Sequence, residues 1–523
     1  MCSKRLQQEF RLASYDESFT DERLGGFDLM SADTSVPSGG ITINWTRLVA
    51  MLTGVGLFFV VYYSSPWPDA VDPMGKHFPL SKEGKGALAV FLLAGAWWVF
   101  EVVPIGVTSL LIGVAQVLFM IRPAKVAFKD FMDPSVLFIF GSLVIGLVFT
   151  KTGLTKRMAY KILAVIGEKT TTIYLGVFVL VAVLTHIMAH TAVAATIYPL
   201  LLAIYSLYGE GDKKSRFGKG LFMGMAYVCG AGSIITLLGA ARGIVALGFF
   251  REMAGKDVSF FELSYYMAPV GWLMVILLWL FFVIFFKPEK RVIAGLRERV
   301  AELSRDQGPI SKNEKIGLVI IFGAIVVMSL QVMVPALQGL DKTAIMLLAT
   351  ILFFVFKILD INDLELIPWN IVLLFSGAMS IGYCLWETGA AKWLAVNWLV
   401  MFKNANWFIF VMSIAFFVMV MTNFIMNVAA IAISLPVALV IAPYLGVAPE
   451  VVLFASLTTA GMPFLLLVGA APNAIAYDSK QFTSGEFFMY GIPASIILMI
   501  VVGLACFIIW PLLGMPVTLP KAM

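Results

Sequence analysis

Apolar runs close to the length needed to cross a bilayer recur along this chain from Leu48 to Leu513. A helical span needs about 20 consecutive, predominantly apolar residues. Within hydrocarbon every backbone N–H and C=O must be paired, which leaves only helices and closed barrels. The runs are rich in Gly, Phe and Met and lack the period-two alternation of barrel strands. With 60% hydrophobic and 13% charged residues, the chain is too apolar for a soluble domain around one core. The sequence therefore predicts an all-α polytopic membrane protein.

The few charges inform orientation. Eight Lys/Arg fall between 287 and 315, and four more in "GEGDKKSRFGKG" at 209–220. The positive-inside rule places both segments, and with them the N-terminus, in the cytoplasm. Residues 1–43 carry both charge signs and lack the pattern of a signal peptide, so they read as a cytoplasmic tail. The net charge of +5 gives no reason to expect nucleic acid as a partner. Cys2, Cys229, Cys384 and Cys506 show neither a disulfide framework nor metal-ligand spacing.

The chain contains two copies of one unit. "FGSLVIGLVFTKTGLTKRMA" (140–159) aligns with "SGAMSIGYCLWETGAAKWLA" (376–395), and "LTHIMAHTAVAATIYP" (184–199) with "MTNFIMNVAAIAISLP" (421–436). "LLGAARG" (237–243) aligns with "LVGAAPN" (467–473). The order is a tail at 1–43, a first half at 44–286, a linker at 287–315 and a second half at 316–523. Each half predicts a helix ending near Lys151 or Glu387 and a basic-tipped surface helix after it. A further amphipathic surface helix is expected over 288–306, with Val292, Leu296, Val300 and Leu303 on one face. Glu101 reads as an end-of-helix residue.

Repeated units with polar, Gly- or Pro-interrupted helices at matching positions are the mark of a secondary transporter, with the substrate held near mid-membrane between the repeats. The interruptions fall at Ala189-His190-Thr191, Met426-Asn427-Val428, Gly239-Ala240-Ala241 and Gly469-Ala470-Ala471. Helix N-termini at such breaks attract anions, and freed carbonyls hold cations. His190 reads either as a titratable group touching the anion or carrying a proton, or as a neutral ring satisfied by backbone. His186 reads as an orienting or structural group. Arg242 either attracts the anion or stands in for a coupling cation; otherwise it snorkels to the interface or pairs with an acid.

On these segments the chain resembles the divalent anion/sodium symporters, the sodium-sulfate symporter family, over nearly its whole length after residue 45. The resemblance implies about eleven spanning helices, two re-entrant hairpins and a homodimer. In that family each hairpin tip carries Ser-Asn-Thr and each broken helix a Gly-Thr-Pro-Pro-Asn-like loop. Carried across, the substrate-binding positions are Ala189, His190, Thr191, Met426, Asn427 and Val428, with Arg242 beside them. The cation-coupling positions are Thr185, Gly239, Thr422, Asn427, Gly469 and Asn473. This chain departs from the motifs: of the four motif hydroxyls only Thr191 survives, His190 replaces the first tip Asn, and Arg242 replaces a loop Pro. The implied function is secondary active transport of a small anion, sulfate or a di- or tricarboxylate, across the cytoplasmic membrane. Sodium coupling should be reduced, with the first site lost. No cofactor is implied beyond sodium as a possible coupling ion.

Two other readings stay open from sequence. The pair His186/His190 has the i, i+4 spacing of a metalloprotease, but Ile187 stands where that motif places its Glu. A passive anion channel could also use the same fold.

Overall fold

The computed structural model describes residues 45–71, 76–100, 102–209, 214–331, 333–399 and 406–519. The expected tail at 1–43 and Glu101 lie outside them. The first half runs through α1 (Trp45–Tyr63), α2 (Lys82–Val99), α3 (Ile105–Leu118), α4 (Ala124–Lys129), α5 (Pro134–Thr152) and α6 (Leu154–Ile166). It continues with α7 (Thr170–Thr185), α8 (His190–Tyr208), α9 (Arg216–Gly232), α10 (Arg242–Ala254) and α11 (Phe260–Phe285). The linker forms α12 (Leu296–Asp306). The second half comprises α13 (Lys312–Leu330), α14 (Lys342–Val355), α15 (Ile361–Glu365), α16 (Trp369–Glu387), α17 (Ala390–Leu399) and α18 (Trp407–Phe424). It ends with α19 (Asn427–Tyr444), α20 (Pro449–Ala460), α21 (Ala471–Tyr477) and α22 (Ser484–Leu504). A two-stranded ribbon, β1 (Ala70–Val71) with β2 (His77–Phe78), is the one sheet among the described residues.

Eight helices among the described residues are long and apolar enough to cross a membrane, and five shorter apolar helices accompany them. Most spans show little amphipathic bias, as expected where protein contacts one side and lipid the other and both are apolar. Their ends are set locally. Asp133 caps α5 through the Ser135 N–H at 2.7 Å, with Pro134 at the first helical position. Capping boxes start α11 at Ser259/Glu262, α13 at Ser311/Glu314 and α22 at Thr483/Glu486. At Gly153 (φ +81°) and Gly389 (φ +76°) the chain turns from α5 and α16 into the helices α6 and α17, a left-handed stop that glycine adopts without strain.

The two halves interlock. α10 of the first half packs against α19 of the second, and α21 of the second packs against α8 and α9 of the first. Charged groups follow the same crosswise rule. Lys151 at the end of α5 pairs with Asp363 at 2.5 Å and Asp360 at 3.3 Å beside α15. Its repeat counterpart Glu387, at the end of α16, pairs at 2.8 Å with Arg122, which also holds Asp130 at 2.7 Å. Glu387 is thus an inter-half partner as well as an end-of-helix residue.

The linker departs from expectation. Its helix begins at Leu296, since Pro288 and the left-handed Gly295 (φ +82°) oppose an earlier start. Val292 falls outside the helix, 48% exposed, in a bridge with Lys169; Leu296 and Val300 are buried as the pattern requires. The linker also ties down the first half. Arg157 on α6 pairs with Glu314 at 2.7 Å and donates to Gly308 O at 2.8 Å, and Tyr208 at the end of α8 donates to Glu289 at 3.0 Å.

Candidate functional site

α7 and α8 are joined by four residues, His186–Ala189, and α18 and α19 by two, Ile425–Met426. The residues entering the second helix of each pair, Ala189 (φ −56°, ψ 134°) and Met426 (φ −59°, ψ 144°), have nearly the same backbone. The broken segments between α9 and α10, and between α20 and α21, lie against these turns. Glycine is needed at both meeting points. A Cβ on Gly239 would overlap Thr185 O and come within 2.7 Å of Ser233 O, and one on Gly469 would lie 2.9 Å from Thr422 O. The two halves therefore bring matched threonine carbonyls, Thr185 and Thr422, onto matched glycines.

The side chains at the two turns behave differently. In the second half Thr422 Oγ1 donates to Asn427 Oδ1 at 3.0 Å or to Ala460 O at 2.9 Å. With Thr422 O beside Gly469, neutral oxygens gather in one small region. Asn423 Oδ1 accepts from Leu465 N at 2.8 Å and Leu466 N at 3.2 Å, anchoring the loop to the hairpin. Asn473 Nδ2 donates to Pro463 O at 2.8 Å and Leu466 O at 3.1 Å, closing the same loop from its far side.

In the first half Thr185 Oγ1 turns back to Ala182 O at 2.7 Å, within its own helix. The backbone N–H of His190 donates to Gly239 O at 3.0 Å, and His190 Nδ1 reaches the same carbonyl at 3.2 Å. A carbonyl only accepts, so Nδ1 carries a proton. His186 Nδ1 bonds Ala182 O one turn back, and its ring lies 5.6 Å from that of Trp272. Loop and hairpin are tied by Thr236 Oγ1, which donates to His186 O at 2.7 Å. His186 thus holds a packing position, as does its repeat counterpart Asn423, which also bonds the carbonyl one turn back, Met419 O at 2.7 Å.

Arg242 opens α10 and is 2% exposed. Its Nη2 donates to Ser233 Oγ at 2.8 Å, while Nη1 is buried without a hydrogen-bond partner. No carboxylate among the described residues pairs with it. It does not snorkel, and it forms no ion pair with a described residue.

Of the sequence-singled residues, then, Thr185, His190 and Gly239 meet in the first half, and Thr422, Asn427 and Gly469 in the second, with Asn473 closing the second loop. Thr191 and Ala189 are half-buried at the first tip, and the Thr191 hydroxyl makes no hydrogen bond with a described residue. Asn427 and Val428 are buried and Met426 is 36% exposed at the second. Ser233 and Thr236 were not legible: at the loop offset they align with Pro463 and Leu466, so the repeat gives them no polar counterpart. The imidazoles of His186 and His190 bond different carbonyls, and no group of three or more metal-ligating His, Cys, Asp or Glu side chains occurs among the described residues.

Comparison with known proteins bears on this arrangement. Residues 44–516 match the model of the sodium:sulfate symporter transmembrane region. The sodium-dependent dicarboxylate transporter SdcS of Staphylococcus saprophyticus is 24% identical over 464 residues, covering 84% of this chain and 89% of that protein. The protein of the same name from Staphylococcus aureus is 24% identical over 445 residues, covering 80% and 85%. Among solved structures, Neisseria gonorrhoeae MtrF, described with a class of antimetabolite efflux pumps, superposes with a TM-score of 0.55 at 14% identity, covering 92% of this chain and 98% of that one. At that identity the likeness speaks to the fold alone.

Proposed function

The chain belongs to the sodium:sulfate symporter family and is a multi-pass secondary anion transporter rather than an enzyme; from that premise we propose that it carries a di- or tricarboxylate or sulfate with reduced sodium coupling. The relatives named for sodium-dependent dicarboxylate transport favour dicarboxylates among these. In this reading His190, Thr191 and Asn427 line the anion site, flanked by Ala189, Met426, Val428 and Arg242. The linker side faces the cytoplasm, the hairpins are re-entrant, and the protein works as a homodimer by alternating access.

The coupling proposal rests on one observation: both the backbone N–H and the ring of His190 occupy Gly239 O. That carbonyl is the one a first-half cation would need. Hard cations prefer oxygen ligands, and an imidazole nitrogen is a poor substitute. The permanently charged Arg242, three residues further on, also repels a second cation, the more so in a low-dielectric setting. The second half keeps neutral oxygens from Thr422, Asn427 and the Gly469 loop, a donor set that fits one sodium ion. The cationic charge of the lost site passes to Arg242 or to a protonated His190.

The test is uptake of labelled succinate into proteoliposomes across imposed sodium and pH gradients. Dependence on at most one sodium ion is expected. A Hill coefficient clearly above one, with no response to pH across the range where histidine titrates, about 5.5 to 8, rules the coupling scheme out.

A further inference from the structure

The last turns of α11 present hydrocarbon and lead straight into a run of positive charge. Ile276, Leu280 and Ile284 are exposed and repeat at i, i+4 and i+8, so they form one aliphatic stripe. The stripe runs toward Lys287, two residues past the helix end at Phe285. Trp279 lies on the same part of α11, and its indole N–H donates to Thr171 O at 3.3 Å in the first turn of α7. A tryptophan with an apolar body and a hydrogen-bonded N–H suits the level where hydrocarbon gives way to headgroups.

Residues 287–299 carry five Lys/Arg against two Glu. Backbone bonds fix this stretch against the start of α7. Thr170 N donates to Arg291 O at 3.1 Å, Ile293 N donates to Glu168 O at 2.9 Å, and Lys169 stands opposite Val292 in an antiparallel bridge. The ribbon thereby gathers Lys169, Lys287, Arg291 and Arg297 from two distant parts of the chain. All four are exposed, and none forms an ion pair or a side-chain hydrogen bond with a described residue. The acids nearby are engaged elsewhere. Glu289 accepts from Tyr208 and from the N–H groups of Arg216 and Phe217, and Glu168 accepts from Arg297 N at 3.3 Å. Glu298 is exposed on α12, and Lys290 is turned to Tyr208 O at 2.7 Å.

We propose that this junction binds one anionic phospholipid of the leaflet on the linker side. An acyl chain lies along Ile276, Leu280 and Ile284, and the headgroup phosphate is held by Lys169, Lys287, Arg291 and Arg297. The N-terminus of α7 has no side-chain cap and no acidic residue in its first turn, so it adds to the positive potential. A lipid fits better than a soluble anion because stripe and bases are continuous, and a soluble anion uses only the bases. A zwitterionic headgroup carries a cation of its own, which the bases repel. Basic clusters just beyond a spanning helix attract anionic lipid in general. Here a backbone ribbon holds the bases in place, and a bound headgroup staples together the end of α11, the start of α7 and the linker. The proposal does not depend on which anion is transported.

The test titrates the full chain in detergent with dioleoyl phosphatidylglycerol and, separately, with dioleoyl phosphatidylcholine, and reads the lipid-bound fraction by native mass spectrometry. Phosphatidylglycerol should bind at least about tenfold more tightly. Lys169→Gln combined with Arg291→Gln should weaken its binding at least about tenfold, since each base near a membrane surface contributes about fivefold. Lys312→Gln combined with Lys315→Gln removes the same charge from exposed positions at the start of α13, and should change the affinity less than about twofold. Equal affinity for the two lipids overturns the proposal. Equal losses in the two double variants also overturn it, because net charge rather than a built site would then attract the lipid. Displacement of phosphatidylglycerol by an equal concentration of glycerol phosphate overturns the assignment to a lipid. Should the first double variant fail to fold, Lys287→Gln combined with Arg297→Gln reads the same outcomes.

Discussion

In the second half Thr422 turns its hydroxyl toward Asn427, whereas in the first half the equivalent Thr185 turns back into its own helix and His190 closes on Gly239 O. The two turns have the same backbone plan, with matched extended residues at Ala189 and Met426 and matched glycines under matched threonine carbonyls. What differs is where the polar atoms go. One half leaves oxygens facing one another; the other uses its carbonyl on a ring N–H and places a guanidinium close by. Two turns with one backbone plan can thus direct their polar atoms differently without altering the main chain.

The comparison is most exposed at Asn427. Asn427→Ala removes one of the two acceptors of Thr422 and a tip amide at once, and should lower succinate kcat/KM at least about tenfold, in line with ~1.5–3 kcal/mol for a hydrogen bond to a charged group. The folded yield should stay near normal. Unchanged uptake kinetics would take Asn427 out of the site and leave the two halves without a functional contrast.

Asn423→Ala should act on stability instead. It frees two backbone N–H groups, Leu465 and Leu466, which lose their acceptor. A cost of about 1–3 kcal/mol is expected for unsatisfied groups of this kind, read as a lowered midpoint of thermal unfolding in detergent. The counterpart His186→Asn should cost less, because Thr236 bonds the backbone carbonyl of His186 and not its ring. Equal losses for the two variants would contradict that asymmetry.

His190→Asn sharpens the comparison from the other side. It returns an amide oxygen to the first tip and releases Gly239 O from the ring. Sodium should then activate uptake at lower concentration or with a steeper dependence, and combining the change with Arg242→Pro should strengthen the effect. A sodium dependence identical to that of the unmodified protein in both variants would show that His190 is not what closes the first site.

The smallest effect is expected at Thr191. Its hydroxyl makes no hydrogen bond with a described residue, so Thr191→Ala should leave stability unchanged. A rise in KM of a few-fold is expected, the size of one modest hydrogen bond to substrate, about 0.5–1.5 kcal/mol. No change in KM would remove Thr191 from the anion site.

The sequence by itself determined the membrane-helical class, the duplication and the positions of the four interruptions. These depend on local properties: apolar run length, glycine and proline, and a spacing repeated along the chain. It also marked the glycines at 239 and 469 through the aligned loops, whereas the threonine carbonyls that press on them came from the fold. Helix starts governed by more than pattern were less legible, as with α12, where Val292 fits the apolar face but lies before a left-handed glycine. Tertiary structure alone decided which atoms meet. That Gly461 packs on Arg242, that Lys151 and Glu387 each find partners far along the chain, and that His190 closes on Gly239 O all depend on segments tens to hundreds of residues apart. Local propensity carries no information about such meetings. They follow from how distant helices bury their faces, and the burial that leaves Arg242 without a described acid partner is a property of that packing and of no single stretch of sequence.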